Sequence, residues 1–141
     1  MLFRSYPIPE RPGVFDRPVD DGKAIHSLEH GIIWISYRPD LVSAKDLELL
    51  TAIAAGYEVM IRSSLALNPS AARLRGWHLT GVTGTLGAAA ACASLMQLDA
   101  EHTAWALGLA GTQSSGTWAF NADGTQSKRL HPGRADRKSH V

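Results

Sequence analysis

A single cysteine, Cys92, excludes an internal disulfide and any all-cysteine iron–sulfur cluster. It sits in an alanine-rich run, where a buried and inert thiol is the expectation. An excess of one charge is also missing, since 14 Lys and Arg face 13 Asp and Glu. That balance gives no basic footprint, so neither nucleic acid nor an acidic membrane surface is an expected partner. No uninterrupted apolar run reaches the roughly 18 residues that a membrane span needs. The N-terminus lacks an apolar signal core, because Arg4, Pro7, Pro9, Glu10, Arg11 and Pro12 break it up. A cytoplasmic protein is the expectation from these absences. What is present is 45% hydrophobic residues in 141, enough for the core of one ordinary domain.

Composition changes near residue 45. Residues 1–45 carry Pro7, Pro9, Pro12, Pro18 and Pro39 and turns such as Asp20-Asp21-Gly22. Within them Gly31-Ile32-Ile33-Trp34-Ile35-Ser36-Tyr37 predicts a strand, being β-branched, aromatic and bounded by Gly31 and by Arg38-Pro39-Asp40. Gly13-Val14-Phe15-Asp16 predicts a weaker partner for it. Residues 46–135 are rich in alanine, leucine and glycine with a helical period. Ser43 and Asp46 have capping-box spacing before a helix that runs to about Leu67. Leu49, Ile53, Met60 and Ile61 recur on it at helical spacing, and Asn68-Pro69 ends it. Gly81, Gly84 and Gly87 then stand at every third position of a second helix, ahead of the run Ala88 to Ala91. Each glycine lowers helix propensity by about 1 kcal/mol relative to alanine. Their alignment implies close approach of another backbone or of a ligand. Asp99 caps a third helix with Glu101 in its first turn, and Ala104, Leu107 and Ala110 form its stripe. Asn121 to Gly124 is a turn by composition. Thr125 to Arg134 is cationic and shows no period.

Three segments have residues suited to chemistry. His26-Ser27-Leu28-Glu29-His30 has the H-x-x-E-H spacing of an inverted zinc-protease motif, which needs both histidines on one face of a helix. The following residues read as strand, where two residues four apart are separated by about 13 Å, too far to share an ion. No metal site is therefore expected, and hydrogen-bonded histidines near a sheet edge are the plainer reading. The second segment places His78 immediately before the glycine-rich helix, whose free N–H groups favour anions. The third packs Lys128, Arg129, His131 and Arg134 into seven residues. That is too little charge for nucleic acid but suits a small polycarboxylate, although a solvated basic loop has the same composition.

Residues 9–45, through Gly13-Val14-Phe15-Asp16-Arg17-Pro18-Val19 and His26-Ser27-Leu28-Glu29-His30-Gly31, resemble an uncharacterised bacterial domain with an H-S-L-E-H-G core. Residues 46–135 resemble a different family. The helix Leu49 to Val59, the segment His78-Leu79-Thr80-Gly81, the run Gly84-Thr85-Leu86-Gly87-Ala88-Ala89-Ala90-Ala91 and the cap Leu98-Asp99-Ala100-Glu101 occur in one order. Ala106-Leu107-Gly108-Leu109-Ala110-Gly111 and Lys128-Arg129-Leu130-His131-Pro132-Gly133-Arg134-Ala135 continue it. Together they resemble the MmgE/PrpD family, which includes 2-methylcitrate dehydratases of propionate catabolism and cis-aconitate decarboxylases.

The resemblance implies a mainly α protein: part of an all-helical domain, preceded by a short β-containing segment. It implies a lyase of C–O or C–C bonds that acts on a small di- or tricarboxylate without metal or cofactor. His78 and Lys128 correspond to catalytic positions, and His131, Arg134 and Arg129 become candidates for holding carboxylates. Removing water from a hydroxy acid needs a base at carbon, an acid for the departing hydroxide and cations for the carboxylates. An imidazole titrates near neutral pH and suits the first two tasks.

There are departures. Leu79 stands where family members usually have proline after the histidine. The family's D-F-D-D-T segment with a second histidine, its downstream lysine/histidine segment and its smaller domain are absent. A site built from several distant segments is then incomplete, and no lyase turnover is expected from this chain alone. Marginal stability is expected too, with exposed leucine and alanine faces favouring self-association as a homodimer. The alternative is a non-enzymatic binding module centred on His26 to His30. At the ends, Leu2-Phe3-Arg4-Ser5 and Asp136-Arg137-Lys138-Ser139 are what a common sequencing adapter and its reverse complement give on translation. Natural sequence is accordingly expected between about residues 6 and 135, with 136–141 as a tail.

Overall fold

The computed structural model describes residues 15, 17, 19–20, 23 and 35–136. These residues are mainly helical, as the sequence leads one to expect. Helix α1, Ala44–Ala66, begins at the anticipated capping box. Ser43 Oγ accepts the Asp46 N–H at 3.1 Å, and the Asp46 carboxylate accepts the Ser43 N–H at 3.2 Å. The Ser43 hydroxyl, which also donates to Asp46, holds that carboxyl below its ordinary value. Pro69 ends α1 as expected, and it also opens a short helix α2, Pro69–Leu74. The first helical position needs no N–H, so proline fits there. Asn68 makes the junction with a φ of 52°, its side chain accepting the Ala71 N–H.

Helix α3, Leu79–Leu95, is the centre of the assembly and packs against α1, α4 (Ala100–Gly111) and α6 (Leu130–Asp136). Asp99 caps α4 by accepting the His102 N–H at 2.8 Å, with Glu101 in the first turn as anticipated. The α1–α3 interface is built on small residues. A Cβ added to Gly56 would lie 2.7 Å from the Gly87 carbonyl oxygen, and one added to Gly87 would lie 2.8 Å from that of Gly56. Backbone therefore meets backbone there, with the Ala91 Cβ 3.0 Å from a Cβ added to Gly56, and Ala52 on α1 and Ala90 and Ala93 on α3 are buried. Fully buried Thr83 satisfies its hydroxyl twice, at 3.0 Å from the Leu79 carbonyl and 2.8 Å from Ser64 Oγ.

Several expectations need correction. The segment from Thr125 to Arg134 is ordered as a 3₁₀ turn, Gln126–Arg129, followed by α6. Its period was hidden because α6 has only 7 residues, with Pro132 in the first turn, where a missing N–H does no harm. Residues 121–123 complete the short helix α5, Phe120–Asp123, which Gly124 stops at a φ of 62°. Cys92 is half-buried rather than buried. On α4, Leu107 and Ala110 are half-buried while Ala104 faces solvent. Although charges interrupt its apolar runs, α1 has 23 residues and is long and apolar enough to cross a membrane by length and composition. Its interrupting charges, Glu58 and Arg62, pair one turn apart at 2.7 Å, and its glycine face is taken by α3.

The strand anticipated at 31–37 lies mostly outside the described residues, and its described end, Ile35, Ser36 and Tyr37, is in no strand. A strand requires a ladder, and the pairing found among the described residues is one antiparallel bridge, Trp77 to Thr117. The weaker strand anticipated at 13–16, apart from Phe15, and the pair His26 and His30 fall outside the described residues.

Candidate functional site

That single bridge shapes the site. It joins the chain just before α3 to the loop after α4. The His78 N–H donates to the Gly116 carbonyl at 3.1 Å, and the Trp118 N–H donates to that of Gly76 at 2.7 Å. Gly116 has a φ of 136°, which L side chains rarely adopt, and a Cβ there would sit 3.3 Å from the Gly81 Cα and from His131 Nδ1. Gly81 repeats the restriction from α3, where a Cβ would lie 2.7 Å from the Ser115 carbonyl oxygen and 3.2 Å from the His131 Cβ. The two glycines thus make the slot in which the His131 ring lies. Gly84 does the same for α6 at one further point, facing the Cβ of buried Ala135 at 3.0 Å.

His78 is the residue before α3, in extended backbone, and its side chain makes no capping hydrogen bond to the helix. Leu79 in place of proline leaves this turn intact, because the first helical position accepts either residue. The His78 side chain is buried at 6% exposure. Its ring centroid lies 5.3 Å from that of Trp118, 5.1 Å from Phe120 and 5.0 Å from His131. The two imidazoles are hydrogen-bonded, Nδ1 to Nδ1, at 2.8 Å. Burial, then the neighbouring His131 and Lys128, push the His78 pKa below its ordinary value. Lys128 reaches the same cluster from the 3₁₀ turn, its Nζ 5.8 Å from the Phe120 ring centroid.

A cavity of about 720 Å³ opens beside this cluster. His131, Arg129 and Arg134 line it from the 3₁₀ turn and α6, Gly81 and Thr85 from α3, and Gln113 and Ser115 from the intervening loop. Arg134 Nη1 donates to Ser115 Oγ at 2.5 Å, which fixes one side of the guanidinium. Among the described residues lining the cavity none is acidic. Two guanidiniums, an imidazole and neutral donors in one concavity favour a ligand with more than one negative group.

The structure brings His78, His131 and Lys128 together around Phe120, and Arg129, His131 and Arg134 around the cavity. His131 belongs to both groups, whereas His78 and Lys128 are not among the residues lining the cavity. Sequence reasoning did not anticipate Ser115, Gly116, Trp118 or Phe120. Gly116-Thr117-Trp118 carries a weak turn signal, but its pairing with residues near 77 is a tertiary fact.

The MmgE/PrpD N-terminal domain profile matches residues 39–140, which takes in every helix described above. A cis-aconitate decarboxylase-like protein of Aspergillus oryzae is 34% identical over 95 residues. That match covers 67% of this chain and 19% of the relative, so the chain spans about a fifth of that protein's length. No solved structure matches the chain. With a profile match across most of its length and a relative above 30% identity, the chain belongs to the MmgE/PrpD family.

Proposed function

We propose that residues 46–135 form part of the active site of a cofactor-independent lyase acting on a small di- or tricarboxylate such as 2-methylcitrate or cis-aconitate, and that this polypeptide alone does not turn the substrate over. The observation that carries the reading is the cavity in which Arg129, His131 and Arg134 converge without an acidic residue among its described lining. In this reading Arg129 and Arg134 hold carboxylates by charge-assisted hydrogen bonds. The linked imidazoles of His78 and His131 handle the substrate proton, and Lys128 supplies a further cation or a proton to the leaving group. Family membership and the cis-aconitate decarboxylase-like relative support the reaction class. The inactivity proposed for this polypeptide rests on preorganisation: rate enhancement depends on a complete set of positioned groups, and the match covers 19% of the relative's length.

Calorimetric titration with citrate tests the binding claim. Citrate is expected to bind the full chain, and changing both Arg129→Ala and Arg134→Ala is expected to weaken it about tenfold or more, since hydrogen bonds to charged groups contribute about 1.5–3 kcal/mol each. Unchanged affinity in that variant would remove the cavity from the account. Incubation with 2-methylcitrate or cis-aconitate is expected to yield no product. Turnover that disappears in His78→Ala would overturn the claim of inactivity.

A further inference from the structure

We propose that His131 is the imidazole that meets the substrate, and that His78 is a positioning residue behind it, the two rings sharing protons as one unit through their Nδ1 atoms. This rests on the carboxylate reading of the cavity. His131 lines that cavity and His78 does not, being enclosed by Trp118, Phe120 and His131. At 2.8 Å between the Nδ1 atoms, one ring donates and the other accepts. Both Nδ1 atoms are thus committed, leaving the two Nε2 atoms for other partners. Of these, only that of His131 belongs to a residue lining the cavity.

The bond fixes what His131 offers. When His131 donates from Nδ1, its Nε2 is bare and acts as a base. When it accepts at Nδ1, its Nε2 carries hydrogen and acts as an acid. A proton taken from substrate carbon onto a bare Nε2 leaves the electron pair on the substrate and gives the imidazole pair one positive charge. The proton between the rings is then free to move to His78. A second proton on the pair is disfavoured, because two N–H groups would point at each other at the same short distance. Among the described residues, the charged groups that the contacts place around the pair are cationic: Lys128 and Arg129 from the 3₁₀ turn, Arg134 from α6, and Arg73 from α2, whose guanidinium lies 5.0 Å from the Trp118 ring centroid. α3 itself carries no charged side chain. Those cations oppose a proton on the pair, and a bound polycarboxylate supplies the opposite charge that lets it hold one.

The test uses the full chain labelled with ¹⁵N-histidine, with citrate as the probe. Long-range ¹H–¹⁵N spectra of the free protein at about pH 7.5 are expected to show the two rings in complementary Nδ1 states, one carrying hydrogen and the other bare. Hydrogen on both Nδ1 atoms, or on neither, would overturn the shared unit. Calorimetry at about pH 7.5, where citrate is fully ionised, in buffers of different ionisation enthalpy is expected to show uptake of up to one proton per citrate. His78→Asn, which keeps a donor or acceptor near the Nδ1 position but cannot exchange a proton, is expected to reduce that uptake toward zero. Proton uptake that survives in His78→Asn, or citrate perturbing the His78 Nε2 while the His131 Nε2 stays silent, would overturn the division of roles. If citrate fails to bind at all, the cavity reading and the role of His131 fall together, and the spectra of the free protein still decide the shared proton.

Discussion

On the α1 flank of α3, Gly87 meets the carbonyl of Gly56; on the α6 flank, Gly81 meets the carbonyl of Ser115 and the Cβ of His131. Both glycines permit an approach that a methyl group would block. The first approach ends in a contact between two helix backbones, lined with alanines and one satisfied threonine. The second ends beside an imidazole, two guanidiniums and a cavity. The same residue type, six positions apart on one helix, thus serves packing in one direction and borders a cavity in the other. What differs is the partner. A helix meets Gly87, whereas a loop fixed by one antiparallel bridge meets Gly81 and leaves space beyond it.

The largest expected effect comes from breaking the two contacts separately. Gly87→Ala is expected to destabilise the chain by about 1–3 kcal/mol in urea unfolding, because its obstacle is backbone and cannot rotate away. Citrate binding should change little at temperatures where that variant remains folded. Gly81→Ala is expected to weaken citrate binding as well as stability, since the new methyl group displaces Ser115 or His131. If the two variants behaved alike in both measurements, the distinction between the flanks would be lost.

Acidity sharpens the same contrast with a smaller effect. The folded state holds His78 below its ordinary value of 6.5, so the unfolded chain binds more protons as pH falls through that value. The His78 contribution is therefore fully present above about 6.5 and is lost as pH falls toward the lowered value. Thermal unfolding between about pH 7.5 and about 5 should reveal this loss, and His78→Phe should flatten the curve. An unfolding midpoint equally dependent on pH in the variant would remove His78 as the cause.

Gly108 supplies the control. It lies in α4 with nothing within 4 Å of an added Cβ. Gly108→Ala is expected to stabilise the chain by about 0.5–1 kcal/mol through helix propensity alone, without altering citrate binding. A loss of stability there would mean that its surface is covered.

Local chemistry was legible in the sequence. Ser43 with Asp46, Asn68 with Pro69, and Asp99 with Glu101 mark helix boundaries through atoms within three residues of one another, and the structure places caps at each. The glycine spacing announced close approach but left its object open, since the partners of Gly81 and Gly87 come from Ser115 and Gly56, each about thirty residues away. Helix α6 was hidden by its length and by Pro132. Trp118 and Phe120 were missed because nothing in their spacing relates them to His78; a backbone pairing across forty residues does so. The apolar outer faces follow the same pattern. Leu49, Ile53 and Tyr57 on α1, with Trp105 and Leu109 on α4, keep a core-like period yet remain exposed. Period alone identifies a face and does not name what covers it.

The proposed recognition of polycarboxylates belongs to the α3–α6 cavity rather than to any other part of the chain. Backbone amide shifts of the full chain, followed during titration with citrate, test it most directly. Shifts are expected to concentrate at Gly81, at residues 113–117 and at residues 129–135. Shifts centred on residues 26–30, or an unperturbed cavity at saturating citrate, would contradict it.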